Sequence, residues 1–187
     1  MNNTRAIVFD AYGTLFDVNS AAEKCKDKIG NKWENFANFW RTTQLEYTWL
    51  RSLMKKHKNF WQITEDSLDK SMETFQIDKS LRNDLLSLYK ELSPYPEVKN
   101  VLENLKKKSF KLAILSNGTP ELLNHLVKSS DLENLFDDIF SVEEVKIYKP
   151  DPKVYDMPVN KYKVSKGEIT FLSANTWDVS GAGNYGY

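Results

Sequence analysis

Cysteine, histidine and net charge are what this sequence has least of. Cys25 is its only cysteine, so no disulfide can form within one chain. A thiol nucleophile needs a nearby base. Neither of the two histidines, His57 and His125, lies near Cys25 in sequence, and Cys25 reads as a thiol on a helix face. Basic residues number 26 and acidic residues 26, which excludes the one-signed field that draws a protein to nucleic acid or to an anionic membrane. The basic runs at 55–58 and 106–108 each follow an amphipathic stretch and read as solvated helix ends. No apolar run is long enough to span a bilayer. The residues after Met1 are polar and pass straight into a short strand, without the apolar core of a signal peptide, so the expected location is cytoplasmic. Proline is absent before Pro94, and there is no internal repeat or low-complexity tract.

What is present supports a packed protein. The chain has 187 residues, 41% of them hydrophobic, enough for one full core and a second small one. Residues 5–10 form an apolar run that stops at Asp10, the pattern of a buried parallel strand. A tight turn containing Gly13 follows over 11–15. From 18 to 92 the pattern is helical, with Phe36, Trp40, Tyr47, Leu50 and Met54 at helical spacings. Pro94-Tyr95-Pro96 breaks it. The chain then alternates: helix 98–107, strand 110–115, helix 120–128 with Pro120 in its first turn, strand 138–141, a weak helix 152–162 in which Pro158 argues for a break or kink, strand 168–172, and a helix from Asp178. Alternation of this kind predicts an α/β fold with a parallel sheet. The helical block reads as an insert after the first strand, giving a core domain of 1–15 plus 96–187 and a cap of 16–95.

In open α/β sheets, ligands bind beyond the carboxyl ends of the strands. The polar residues collect there: Asp10 after the first strand, Ser116 and Asn117 after the second, Lys149 in the loop beyond the third, Ser173 and Asn175 after the last. Taken singly, Ser116-Asn117-Gly118 is a plain turn and Lys149 a surface lysine. A carboxylate closing a buried strand is less ordinary, because burial without a partner is costly. Lys149 can supply that partner and hold Asp10 ionised, as a nucleophile requires.

These residues carry a resemblance. Asp10-Ala11-Tyr12-Gly13-Thr14-Leu15-Phe16 resembles the first motif of the haloacid dehalogenase superfamily. Ser116-Asn117, Lys149-Pro150-Asp151-Pro152 and Ser173-Ala174-Asn175-Thr176-Trp177-Asp178 resemble its later motifs, in the same order. Trp40-Arg41 and the segment 44–51 resemble the L-2-haloacid dehalogenase branch. The resemblance covers essentially the whole chain. It implies a Rossmann-like parallel sheet with an all-helical cap, and an (S)-2-haloacid dehalogenase that needs no metal or other cofactor. Its substrates are a short 2-haloacid and water, with no nucleic-acid or membrane partner. A homodimer is also implied.

The roles implied by the resemblance are these. Asp10 displaces the halide from C2 with inversion and forms an ester, which water hydrolyses at the Asp10 carbonyl carbon. Lys149 orients Asp10. Arg41 and Asn175 receive the halide. Ser116, Asn117 and nearby backbone amides hold the substrate carboxylate. Asp178, with Thr14, Ser173 and Asn175, positions or activates the water, and Tyr155 lines the same site. Tyr12, Leu45, Phe60 and Trp177 wall the alkyl part, although Leu45 and Phe60 also fit plain packing within the cap. Thr42 departs from a glutamine common at that place.

Two positions separate this chain from the phosphatases of the superfamily. Those carry a second aspartate where this chain has Tyr12, which cannot protonate a leaving alkoxide near neutral pH. They also carry an extra acid for magnesium, where this chain has Ser173 and Asn175. Three other readings stay open on sequence alone: a small-molecule phosphatase, a hydrolase opening a strained ring by the same aspartyl-ester chemistry, and a non-catalytic remnant. Relatives continue past Tyr187 with a further strand and helix, so the expected sheet has an uncovered edge at 168–172 and its stability is in question.

Overall fold

The structure is a computed structural model that describes residues 3–187; Met1 and Asn2, at the start of the segment read above as lacking a signal peptide, lie outside it. The chain divides into two compact units, Met1–Phe16 with Pro94–Tyr187, and Asp17–Ser93.

The first unit is α/β. Its sheet contains β1 (Ala6–Phe9), β2 (Lys111–Ser116), β3 (Asp138–Ser141) and β4 (Ile169–Leu172), ordered β3-β2-β1-β4. All pairings are parallel, with Val8 opposite Ala113 on one side and Phe171 on the other. Parallel strands covered on both faces need aliphatic side chains on both faces. Accordingly Ile7, Val8, Leu112, Ala113, Ile114 and Leu115 are all buried. Each large aliphatic side chain buried this way contributes about 1.5–3 kcal/mol. Helices α6 (Val98–Lys107), α7 (Pro120–Ser129) and α8 (Pro152–Tyr162), numbered after the five of the second unit, pack on the sheet, and α9 (Thr176–Tyr185) packs on β4. Thr119 caps α7, accepting from the Leu122 amide, with Pro120 in the first turn. Pro158 does not break α8. The helix runs through it, and Val154, Tyr155, Met157 and Pro158 are all buried, so packing outweighs the lost backbone hydrogen bond.

From β1 the chain runs outward through β2 and β3, then returns to place β4 on the opposite side of β1. The carboxyl end of β1 is therefore the topological switch point where such sheets bind ligands. Just beyond it, Phe16 bridges to Pro94 and the Tyr95 amide donates to the Leu15 carbonyl at 3.0 Å, so the ends of the inserted segment lie side by side.

The second unit is helical: α1 (Ser20–Lys24), α2 (Lys26–Ile29), α3 (Trp33–Met54), α4 (Phe60–Phe75) and α5 (Arg82–Tyr89). Phe36, Trp40, Phe60, Ile63, Leu68 and Leu85 are buried in it. Asn59 and Gln62 close a reciprocal capping box at the start of α4. This core has an outer limit, and one expectation, that for Cys25, changes here. Burial along α3 ends at Thr48, and Leu50, Leu53 and Met54 are 49%, 79% and 54% exposed. Cys25 sits at the junction of α1 and α2, not on a helix face, and burial pushes its thiol pKa up, away from thiolate chemistry. No helix among the described residues is long and apolar enough to cross a membrane.

Candidate active site

Asp10 follows β1 directly, its amide donating to the Leu172 carbonyl of β4 at 2.9 Å. That bond fixes the carboxylate at the mouth of the sheet. Gly13 (φ +83°) then turns the chain in a conformation that L side chains rarely adopt, which returns Thr14 toward Asp10. The two carboxylate oxygens are treated differently. Oδ1 accepts from Lys149 Nζ at 3.0 Å. Oδ2 accepts from Thr14 Oγ1 (3.1 Å), Ser173 Oγ (3.2 Å) and Asn175 Nδ2 (2.7 Å). Asp10 is 5% exposed.

Lys149 is buried and also donates to Asp178 Oδ2 at 2.7 Å. Its backbone amide donates to Asn117 Oδ1 at 3.1 Å, so Asn117 fixes the loop that presents the ammonium. Ser116 Oγ accepts from the Gly118 amide at 3.1 Å and shapes the same turn. Asp178 opens α9, is fully buried, and takes the Tyr155 hydroxyl on Oδ1 at 2.7 Å. Asn175 Nδ2 also donates to the Tyr12 carbonyl (3.0 Å), and the Ala174 amide donates to Thr14 Oγ1 (3.0 Å). The structure thus joins Asp10, Thr14, Lys149, Tyr155, Ser173, Asn175 and Asp178 in one network, with Asn117 attached through the backbone. Tyr12 is buried and its ring abuts Gly118; Trp177 is half-buried beside Asp178.

The electrostatics are those of one cation serving two anions. Burial alone would depress the Lys149 pKa, but the Asp10 and Asp178 carboxylates overcome it and hold the value above that of an ordinary lysine. Asp178 moves the other way for an acid. Its loss of solvent, together with repulsion from Asp10, outweighs Lys149 and raises its pKa. The two shifts disagree about how far the pair favours its charged form. The buried ammonium has two carboxylates and is well compensated; each carboxylate has half a cation, so the shortfall falls on the acid. Tyr155 is pushed up by burial and then by Asp178, so it stays a donor.

Arg41, Leu45 and Phe60 belong to the helical unit. Arg41 and Leu45 share a face of α3, where Arg41 Nη1 donates to Gln44 Oε1 at 2.9 Å. Gln44 is held in turn by Thr64 (2.7 Å) and Tyr89 (3.0 Å). Leu45 is half-buried and Phe60, at the start of α4, is fully buried.

Three residues of the α/β site were not anticipated. The Phe171 ring lies 5.1 Å from Lys149 Nζ. Strand alternation could have found it, because Phe171 and Ser173 stand two apart on one side of the chain. Gly181 and Pro150 frame Tyr155: a Cβ at Gly181 would lie 2.6 Å from the Tyr155 hydroxyl and 2.6 Å from Pro150 Cβ. No sequence signal marks that clearance.

A hard divalent ion does not fit this donor set. Such ions take several oxygen ligands. Among the described residues no three His, Cys, Asp or Glu side chains gather to offer them, and Asp10 and Asp178 both point at the Lys149 ammonium.

The chain is similar to known proteins over almost its whole length. Residues 4–186 match the model of the haloacid dehalogenase-like hydrolases. (S)-2-haloacid dehalogenase 4A of Burkholderia cepacia is 42% identical over 100% of this chain and 82% of its own length. (S)-2-haloacid dehalogenase 1 of Pseudomonas sp. (strain CBS-3) is 44% identical over 100% of this chain and 83% of its own. A solved dehalogenase superposes with a TM-score of 0.98 at 42% identity, over 100% of this chain and 84% of its own. The L-2-haloacid dehalogenase of Xanthobacter autotrophicus, solved with chloropropionic acid covalently bound, has a TM-score of 0.90 at 38% identity, over 98% of this chain and 75% of its own. With an ammonium-paired aspartate at the switch point and a family model matched almost end to end, the chain belongs to the haloacid dehalogenase-like hydrolases.

Proposed function

We propose that this protein is an (S)-2-haloacid dehalogenase, converting short 2-haloalkanoic acids and water into 2-hydroxy acids and halide. The observation that carries this reading is the division of labour on Asp10, with Lys149 on one oxygen and three neutral donors on the other. An Asp10 oxygen attacks C2 from the side opposite the halogen. The new C–O bond forms as the C–X pair departs with the halide, inverting C2. Water then attacks the Asp10 carbonyl carbon; the acyl–oxygen bond breaks, the 2-hydroxy acid leaves, and a solvent oxygen remains on Asp10.

Lys149 aims the buried carboxylate and compensates its charge, and its desolvation makes it a better nucleophile. Asp178, itself fixed by the Tyr155 hydroxyl, holds Lys149, and Asp178 with Thr14, Ser173 and Asn175 governs the hydrolytic water. Arg41 and Asn175 receive the halide; a guanidinium, diffuse and weakly hydrated, suits a soft anion. Ser116 and Asn117 bind the substrate carboxylate, and Tyr12, Leu45, Phe60 and Trp177 form the apolar wall. A halide needs no proton on departure, so Tyr12 standing in place of the phosphatase acid costs this reaction nothing. In the same reading residues 16–95 act as the cap on the core domain.

The test is halide release from each enantiomer of 2-chloropropionate and from chloroacetate, with a single turnover in H2(18)O. Release from the S enantiomer with 18O entering Asp10 before product supports the mechanism. Asp10→Asn should cut release by about 10^4-fold or more; release near the wild-type rate would remove Asp10 as nucleophile. Magnesium-dependent phosphate release from an aryl phosphate, without halide release, would favour a phosphatase.

The exposed apolar turn Leu50, Leu53 and Met54 on α3 is the surface of the homodimer in this proposal, and the mass in solution of Leu53→Glu checks it. A cytoplasmic location completes it, and cell fractionation decides it.

A further inference from the structure

The Lys149 ammonium makes two hydrogen bonds, to Asp10 Oδ1 and to Asp178 Oδ2, and is 1% exposed. An ammonium carries three N–H groups. Besides these two carboxylates it stands over the ring of Phe171, with Nζ 5.1 Å from the centroid. A cation within about 6 Å of a ring face is attracted by the ring quadrupole, and the attraction grows when both groups are desolvated. The ring is itself fixed: Tyr155 meets it edge-on at 5.9 Å and 86°, and the Tyr155 hydroxyl donates to Asp178.

We propose that Phe171 is a positioning residue, whose ring face serves as the third partner of the Lys149 ammonium and holds it on the bond to Asp10. The choice of a ring has a chemical reason. A third carboxylate would add to a site that already has two anions for one cation. A hydroxyl or a water would offer a stronger acceptor that competes with Asp10 for Lys149, and a water there would stand beside the ester as an uncontrolled nucleophile. A π face attracts the ammonium without either effect. Register places the ring: Phe171 stands opposite Val8 in the sheet, and alternation along β4 sets it on the same side as Ser173, which donates to Asp10. β4 and the residue that follows it thus deliver one support for the lysine on Oδ1 and one donor to Asp10 Oδ2.

This inference deepens the proposed dehalogenation and rests on it for its catalytic consequence. The test replaces Phe171 with mono-, di- and trifluorophenylalanine in the full chain. Fluorination drains the ring quadrupole while almost preserving shape, and makes the ring more hydrophobic. Both kcat for halide release and the melting temperature should fall stepwise with fluorine count, kcat by roughly 2- to 30-fold at the trifluoro ring. Phe171→Trp should keep activity nearer wild type than Phe171→Leu. A flat or rising melting temperature with unchanged kcat is what plain packing predicts, and would overturn the proposal. If no haloacid releases halide but the melting temperature still falls along the series, the dehalogenase reading fails and the ring–ammonium pairing stands.

Discussion

At Asp178 two effects compete. Burial and Asp10 raise its pKa, while Lys149 and the Tyr155 hydroxyl stabilise the ionised form and lower it. A carboxyl raised in the folded state favours its proton there. The stability tied to that proton is present below the unfolded pKa and is lost as pH rises through the raised folded value. Ionising Asp178 at neutral pH therefore costs stability, which the site spends on keeping Lys149 charged and placed. Activity needs the ionised form, so kcat/KM should fall on acidification at a higher pH than an exposed aspartate would dictate. Tyr155→Phe removes a hydrogen bond to the ionised form, so the acid limb should move to still higher pH. A pH–rate profile of both proteins checks this, and a limb moving to lower pH would reverse the assignment. At this scale the sequence is most legible: Asp10, Lys149, Ser173 and Asn175 are polar residues at strand ends or in the loops beyond them, Asp178 comes from the motif that follows the last strand, and each is found within the hydrogen-bonded network. Phe171 escaped because an aromatic within a strand looks like ordinary packing.

The elements teach a different lesson. Strand positions were legible because a short aliphatic run flanked by turn residues has few other uses, and 138–141 coincides with β3. The outer end of α3 was not. Met54 returns to the angular position of Phe36 at about 100° per residue, yet it is exposed. Spacing gives the face of a helix, not how far along its length a partner extends. Gly181 in α9 is a second case. In a helix interior glycine costs about 1 kcal/mol relative to alanine, and nothing in the α9 backbone asks for it, since its φ is not positive. The reason is the approach of Tyr155 and Pro150, which leave no room for a Cβ. Gly181→Ala should therefore destabilise, by about 1–3 kcal/mol once overpacking outweighs the helix gain, and should lower halide release by displacing Tyr155 from Asp178. Urea denaturation and the halide assay measure both. A more stable protein with full activity would mean that the site relaxes freely around the added methyl.

The two units carry separate parts of the proposed chemistry. The nucleophile, its lysine and its neutral donors all lie in the α/β unit. Arg41, the halide acceptor of the proposal, lies in the helical unit with Gln44 fixing its guanidinium. The inserted segment leaves and returns at neighbouring points, Phe16 bridging to Pro94, so a short linker can replace Asp17–Ser93 without stretching the sheet. The α/β unit has its own sheet and core and should unfold cooperatively after that excision. It should nevertheless release halide more slowly than Arg41→Met in the full chain, because the departing anion keeps only Asn175 and the substrate also loses the wall residues Leu45 and Phe60. In the full chain, Arg41→Met should retain the fold and lose about 10^2-fold or more in kcat, in line with the removal of one preorganised donor from a developing charge. Circular dichroism and urea melts report the fold, and the halide assay the chemistry. If the excised chain or Arg41→Met works at near wild-type rate, the halide leaves without the helical unit, and the role of Arg41 in this mechanism is withdrawn.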